Sequence, residues 1–175
     1  MNFIQKRKIN NYLTRFSERK KKEKVQVCSL EQAENICIFH TFKSQELLEQ
    51  IVQLVNLLKK EVALYCFISK KTKELPFNHE KIFFISKKDF NFTGNLKKEK
   101  LLLLQEKSFD VLIDLDRETS LFSLYLTGTV QAKFRIGRCE KSKQYYNLIL
   151  YSLDENQTVA DYFQSLVQYM QKIIS

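Results

Sequence analysis

Glycine, proline and tryptophan are scarce in this chain, whose 175 residues contain three Gly, one Pro and no Trp. So little glycine and proline excludes a collagen-like or low-complexity chain, and an apolar content of 44% is that of a folded protein. No apolar run approaches the roughly 20 residues that cross a bilayer, and the N-terminal stretch lacks the apolar segment of a signal peptide. We therefore expect a folded, cytoplasmic protein.

The sequence motifs of nucleotide, metal and serine-nucleophile sites are also missing. Neither G-x-G-x-x-G nor G-x-x-x-x-G-K-[ST] is present to cradle a phosphate, and no G-x-S-x-G is present to carry a nucleophile. The two histidines, His40 and His79, have no helical spacing. Too much sequence separates the four cysteines for a zinc knuckle or a redox pair: they are Cys28, Cys37, Cys66 and Cys139. We expect reduced thiols, and neither a metal ion nor a cofactor.

Positive charge is concentrated at the N-terminus. The chain has a net charge of +9. Residues 1–24 hold nine cations and two acids, Glu18 and Glu23, which is a net charge of +7 and leaves +2 for residues 25–175. The nine cations are Lys6, Arg7, Lys8, Arg15, Arg19, Lys20, Lys21, Lys22 and Lys24. We therefore divide the chain into a basic N-terminal arm, residues 1–24, and a single α/β domain, residues 25–175. We expect this domain to fold without the arm.

The arm has the pattern of a basic amphipathic helix. Its apolar residues fall near one face: they are Phe3, Ile4, Ile9, Tyr12, Leu13 and Phe16. Such a helix can pack on its own core, bind RNA or lie on an anionic membrane, and the pattern leaves these alternatives open. Among the binding functions we favour contact with RNA or the ribosome, and we expect Phe3, Tyr12 and Phe16 either to stack on bases or to anchor the helix.

After the arm, short apolar runs typical of buried strands alternate with helical stripes. Strands are predicted at 35–40, 61–68, 81–86, 109–115, 132–138 and 146–152. Helices are predicted after the cap Ser44, at 118–126 up to Gly128, and at 157–173, with a polar loop at 69–80 and a turn and helix between 87 and 104. This alternation predicts a three-layer, Rossmann-like α/β sandwich with a mainly parallel sheet of five or six strands.

A parallel sheet brings the carboxyl ends of its strands to one edge, where ligands bind in open α/β folds. The side chains expected at that edge in a candidate pocket are His40, Asp114, Asp116, Arg117 and Arg138. Asp114 or Asp116 with His40 would form the acid and base of a small enzyme. Aspartates at such positions also cap helices and form turns by bonding the backbone, and we favour that structural role for both.

Residues 109–137, FDVLIDLDRETSLFSLYLTGTVQAKFRIG, resemble the N-terminal half of the heptosyltransferase-type glycosyltransferases. There a strand ending in Asp leads to a short Leu-rich helix and a strand ending RIG; the matching segments are Phe109–Leu115, Leu121–Leu126 and Ala132–Gly137. The resemblance implies a Rossmann-like fold. The Gly-Asp turn and the second, nucleotide-sugar domain of those enzymes have no counterpart in this sequence.

The chain as a whole more closely resembles a family of uncharacterised bacterial proteins found chiefly in Bacteroidota. The resemblance rests on the basic N-terminal helix, the turn KKDFNFTG, the block at 109–137 and the final amphipathic helix.

Together these patterns favour a non-catalytic binding protein. Its arm would contact a polyanion and its α/β domain would present a surface to a protein partner. The alternatives are a small α/β enzyme that uses the carboxyl ends of the strands, and a peripheral protein at the inner membrane surface.

Overall fold

The computed structural model describes residues 1–69, 81–154 and 156–172. The helices and strands in these ranges are α1 (Phe3–Lys22), β1 (Asn35–Thr41), α2 (Gln45–Leu57), β2 (Glu61–Ile68), β3 (Ile82–Ser86), α3 (Lys98–Gln105), β4 (Ser108–Asp114), α4 (Leu121–Thr129), β5 (Gln131–Gly137), β6 (Leu148–Ile149) and α5 (Val159–Lys172). Two 3₁₀ turns, Lys87–Asp89 and Glu140–Tyr145, complete the set. The predicted loop at 69–80 lies, from residue 70 onward, outside the described residues.

The strands form one sheet with the order β3-β2-β1-β4-β5-β6, and every neighbouring pair in the described chain is parallel. The predicted Rossmann-like α/β fold is confirmed. Strand order reverses between β1 and β4, the two central strands, because the chain adds β2 and β3 on one side of β1 and then returns to its other side. In sheets of this kind a crevice opens at the carboxyl ends of the strands where the order reverses.

Two apolar layers cover the two faces of the sheet. Alternate residues of β1 enter different layers: Ile36 and Ile38 pack in the layer that holds α2 and α5, whereas Cys37 and Phe39 pack in the layer that holds α1 and α4. All four side chains are fully buried. A strand covered on both faces has no polar side to alternate with, which explains the continuous apolar run in the sequence.

Helix α1 is part of the second layer. Ile9, Leu13 and Phe16 are only 0, 2 and 5% exposed. At its N-terminal end, Gln5 donates a hydrogen bond of 2.9 Å from Nε2 to the carbonyl of Asn91. Gly94 has a φ of +89°, and a Cβ there would lie 3.0 Å from the Gln5 Cα, so the turn before α3 fits against α1 only with glycine. Residue 24 thus marks a change in charge along the chain. It does not mark a change in packing, because residues before and after it share one hydrophobic layer.

The predicted bounds of α4 and β6 differ most clearly from those in the structure. Helix α4 begins at Leu121 rather than 118, because the Ser120 side chain caps it by accepting from the Ser123 N–H. It runs through Gly128, where the small residue admits the rings of Tyr12 and Phe16 at 3.3 and 3.4 Å from a Cβ position. Strand β6 has two residues rather than seven, because the 3₁₀ turn precedes it and only Leu148 and Ile149 pair with β5.

The packing of α1 predicts that its buried side chains stabilise the whole domain. Leu13→Ala should lower the free energy of unfolding by about 2 to 5 kcal/mol, as cavity-forming substitutions do. Thr14→Ala, one residue away on the exposed side, should change it by less than about 0.5 kcal/mol. Chemical denaturation measures both.

Deletion of residues 1–22 tests the same packing. The truncated chain loses three buried side chains from one layer, so we expect a lower melting temperature. An unchanged thermal transition would instead show that residues 25–175 fold independently of the arm.

Candidate functional site

The structure gathers the residues expected at the carboxyl edge of the sheet. His40, Arg117 and Arg138 line one hollow of about 340 Å³. Asp114 is the last residue of the neighbouring strand β4 and Asp116 follows it. These two aspartates are 0 and 2% exposed. The five residues therefore meet as the parallel topology predicts, but the two aspartates are enclosed in the protein rather than open to solvent.

Asp116 fastens the end of β1 to the segment after β4. Its Oδ1 accepts a hydrogen bond of 2.9 Å from the Thr41 N–H, and its Oδ2 accepts one from the Thr41 hydroxyl. His40 Nδ1 lies 3.1 Å from the same Oδ1, off the direction that a hydrogen bond requires. Neither ring nitrogen of His40 has a hydrogen-bond partner among the residues that the structure describes. Asp116 is thus a structural anchor that also lies beside the imidazole.

Asp114 is a buried turn former. Its Oδ1 accepts a hydrogen bond of 3.0 Å from the Asp116 N–H, and its Oδ2 accepts one from the Tyr146 hydroxyl. Burial, and then the charge of Asp116, raises the pKa of Asp114 to about 8, so the acid is mainly protonated at neutral pH. The predicted turn is present. The prediction that these aspartates cap the following helix is wrong, because Ser120 does so.

Tyr146 reaches Asp114 because Gly137 lets it pass. A Cβ at position 137 would lie 2.7 Å from the Tyr146 ring. Burial and the neighbouring Asp114 raise the pKa of Tyr146. The sequence carries no periodic signal for this pair, since the two residues are 32 positions apart and only the turn after β5 brings them together.

Two arginines, Arg117 and Arg138, form part of the wall of the hollow at the carboxyl edge of the sheet. Arg117 Nη2 donates to the carbonyls of Asp154 and Gln157 at 2.7 and 2.9 Å. Arg138 Nη2 donates to the Gln157 carbonyl at 3.1 Å, and its guanidinium lies 4.4 Å from the centre of the Tyr162 ring. Burial, and then the charge of Arg117, lowers the pKa of Arg138. Both arginines also line a second hollow, of about 930 Å³, toward Lys141 and Ser152.

The basic residues at the N-terminus lie mainly on the outer side of α1 and the segment after it. Eight of the nine are exposed: Lys6, Arg7, Lys8, Arg15, Arg19, Lys21, Lys22 and Lys24. Lys20 is half-buried, and burial followed by the charge of Arg135 lowers its pKa to about 8. Helix α1 thus presents its charge to solvent while its apolar face packs on the domain.

The rings of Tyr12 and Phe16 pack against the domain, which is the anchoring arrangement of the two alternatives expected for them. Phe16 is 5% exposed, and its ring lies 6.3 Å from that of Tyr145. Tyr12 is half-buried, with its ring 4.7 Å from that of Tyr125. Stacking on a base would require the helix to leave the domain, so in this structure the rings serve to dock α1.

A groove of about 670 Å³ runs beside the C-terminal half of α1, at the amino ends of β4 and β5. Its charged lining residues are Arg19, Glu23, Lys24, Lys133 and Arg135. Arg135 is 7% exposed and donates from Nη1 to the carbonyl of Thr127 at 2.6 Å. The sequence pattern did not indicate the part of β5 in this groove, because Lys133 and Arg135 are more than 100 positions from the basic cluster.

Two further kinds of site are absent from the described ranges. Within them, no group of three or more His, Cys, Asp and Glu side chains is placed to hold a metal ion. None of the helices described is long and apolar enough to cross a membrane.

Comparison with known proteins places the chain in a family. Residues 2–173 match the model of a family described as "Family of unknown function (DUF6913)". The chain belongs to this family. A comparison with curated proteins finds no match for this DUF6913 member.

One solved structure is similar to this DUF6913 member. It is the crystal structure of the glycosyl transferase family 9 protein from Veillonella parvula DSM 2008, with a TM-score of 0.53 and 14% identity. The likeness covers 78% of this chain and 41% of that one. At such low identity it shows the fold alone, and the chain spans about two fifths of the length of that protein.

The burial of Asp114 predicts a pH-dependent stability. Its pKa is about 8 in the folded protein and 3.8 in its ordinary state, so folding takes up a proton and the stability from this group falls as pH rises between these values. Asn keeps the shape, can accept from the Asp116 N–H, and has no charge to bury. We expect the melting temperature of Asp114→Asn to exceed that of the wild-type protein by a margin that grows as the pH rises from 5 to 8.

Asp110→Asn provides the control, because Lys133 bonds that carboxylate and lowers its pKa to about 2. Its contribution to stability is lost only as pH falls toward that value, so between pH 5 and 8 its melting curve should run parallel to that of the wild-type protein. The role assigned to Asp114 is wrong if both variants run parallel to wild type over this range.

Proposed function

We propose that this protein binds a polyanion, most favourably RNA, along the outer face of α1 and the groove beside it. The observation that carries the proposal is the docking of α1 through Ile9, Leu13 and Phe16, which leaves eight of the nine N-terminal cations exposed on a fixed scaffold. A cationic helix held in place loses less conformational entropy on binding than a flexible basic tail does.

The exposed cations form a row rather than a single patch. At 100° per residue, Lys8, Arg15, Arg19 and Lys22 fall on one flank of α1, and at 1.5 Å per residue the row is about 21 Å long. Acidic residues are few here, since Glu18 and Glu23 are the two acids among residues 1–24. Glu23 Oε1 lies 3.7 Å from Arg19 Nε. A row of this length suits an extended polyanion better than a small anion.

The groove continues this row onto the domain. Beside its cations it is lined by the amide side chains of Gln26, Gln105 and Gln131, all of which are exposed. Lysine, arginine and amide groups are those that bind phosphate and sugar oxygens of nucleic acids. Contacts of this kind read the backbone rather than the bases, so we expect little sequence preference.

Salt dependence tests the polyanion proposal. Each cation that neutralises a phosphate of single-stranded RNA contributes roughly 0.7 to the slope of log affinity against log salt. Five contacts would give a slope of roughly −3.5, and Lys21→Gln, Lys22→Gln and Lys24→Gln together should flatten it by about 2. Fluorescence anisotropy of a labelled oligonucleotide at several salt concentrations measures the slope.

The matched control removes the same charge elsewhere. Lys87, Lys97 and Lys98 are exposed residues near α3, and their replacement by Gln should leave the slope unchanged. Equal flattening by the two triple variants would mean that net charge alone attracts RNA, and the proposal would then be wrong. It would also be wrong if the wild-type protein ignored RNA at low salt.

A second candidate function is contact with an anionic membrane surface. One observation favours it: Met1, Phe3, Ile4 and Phe92 are 58, 78, 48 and 70% exposed near the N-terminal end of α1. Phe3 and Ile4 line a shallow depression together with Arg7 and Lys8. Large apolar groups beside cations suit the boundary between lipid headgroups and acyl chains.

Vesicles distinguish the two candidates. At equal ionic strength we expect RNA to bind more tightly than vesicles of phosphatidylserine and phosphatidylcholine, because the apolar groups are few and the cationic row is long. Phe3→Ser with Phe92→Ser should then leave RNA affinity within about twofold, since neither side chain is in the row or the groove. Strong vesicle binding that this variant abolishes, without RNA binding by the wild-type protein, would make α1 a membrane-surface helix.

A further inference from the structure

We propose that the 340 Å³ hollow at the carboxyl edge of the sheet binds a small ligand that carries a phosphate group. This inference is independent of the polyanion proposal, because the hollow lies at the opposite end of the strands from the groove beside α1. His40 ends β1, Leu115 follows β4, and Thr158 precedes α5, so the hollow opens where the strand order reverses. Open parallel sheets bind their ligands at this position.

Two buried polar groups on the wall of the hollow have unused hydrogen-bonding capacity. Within the described part of the chain, His40 Nε2 and Arg138 Nε have no hydrogen-bond partner, although these residues are only 2 and 5% exposed. Folded proteins seldom leave such groups unsatisfied. Asp116 lies beside Nδ1 of the imidazole, so Nε2, on the far side of the ring, has neither a hydrogen-bond partner among the described residues nor that carboxylate beside it.

The charge of the wall selects an anion. Of the described residues that line this hollow, Lys43, Arg117 and Arg138 are cationic and none is an aspartate or glutamate. No carboxylate of the described chain lies within ion-pair distance of Arg138. Burial, and then the charge of Arg117, lowers the pKa of Arg138. An anion bound beside Arg138 would favour its charged form.

The volume of the hollow and the side chains that line it indicate the class of ligand. A volume of about 340 Å³ accommodates a small molecule. Arginine forks match the several oxygens of a phosphate, and Lys43 adds a third charge. The side chains of Leu47, Leu115 and Val159 also line the hollow and offer contact to the rest of the ligand. Since no glycine-rich turn is present in the sequence, side chains rather than a backbone cradle would hold the phosphate.

Three probes separate charge from apolar contact: inorganic phosphate, phenyl phosphate and phenol. Each is titrated by calorimetry into protein that carries Lys21→Gln, Lys22→Gln and Lys24→Gln, so that three exposed cations of the N-terminal segment do not contribute to the signal. We expect phenyl phosphate to bind more tightly than inorganic phosphate and phenol to give no signal. In this background, Arg138→Gln should raise the Kd of phenyl phosphate at least tenfold and Lys43→Gln severalfold.

Lys97→Gln is the matched control. It removes one exposed charge from a residue that does not line the hollow, so it should leave the Kd unchanged. Lys43 is exposed, so Lys43→Gln and the charge reversal Lys43→Glu still decide the question if Arg138→Gln fails to fold. The proposal is overturned if neither phosphate probe binds at millimolar concentration, or if Lys43→Glu leaves the Kd unchanged. It is also overturned if Lys97→Gln weakens binding as much as Lys43→Gln. None of these outcomes bears on RNA binding.

Discussion

The apolar character of β1 and β4 on both faces is the constraint on which the rest of this structure depends. Ile36, Cys37, Ile38 and Phe39 are completely buried, as are Val111, Leu112 and Ile113 in the neighbouring strand. Both faces of the sheet must therefore be covered. Helices α2 and α5 cover one face and α4 with α1 the other. Because α1 covers the sheet with its apolar stripe, its lysines and arginines are directed outward. The charged face and the buried face are thus two consequences of the same docking.

A second set of contacts fixes the carboxyl edge. Asp116 joins the segment after β4 to Thr41 at the end of β1, and Asp114 bonds the Tyr146 hydroxyl beyond β5. Three neighbouring strands are thereby tied at their ends by buried carboxyl groups. Such groups are costly to bury unless they are hydrogen-bonded or neutral, and here they are hydrogen-bonded. Both aspartates are thus used to hold the ends of strands together, and the His40 imidazole lies beside one of them, Asp116.

The two ends of the sheet consequently offer different chemistry. The amino end carries an open groove beside a basic helix, whereas the carboxyl end carries a partly enclosed hollow with arginines and an imidazole. The likeness to a glycosyl transferase family 9 structure shows that the fold also occurs within a larger protein. A shared fold does not carry the activity with it, because function depends on the side chains placed at such edges. In this DUF6913 chain those edges carry cationic side chains, Lys24 and Lys133 at the amino end and Lys43 and Arg138 at the carboxyl end.

The sequence by itself determined the fold class and most of the elements. Strand β2 was predicted at 61–68 and is Glu61–Ile68, and Ser44 caps α2 as expected, because runs of buried residues and N-caps are local signals. Charge counting located the basic segment but not its docking, since periodicity shows that a face is buried without showing what covers it. The start of α4 at Leu121 is set by the local cap Ser120, so it could have been predicted from the sequence. The two-residue β6 and the contact of Tyr146 with Asp114 were decided only by tertiary structure. Each depends on residues distant in sequence, for which a local pattern carries no signal.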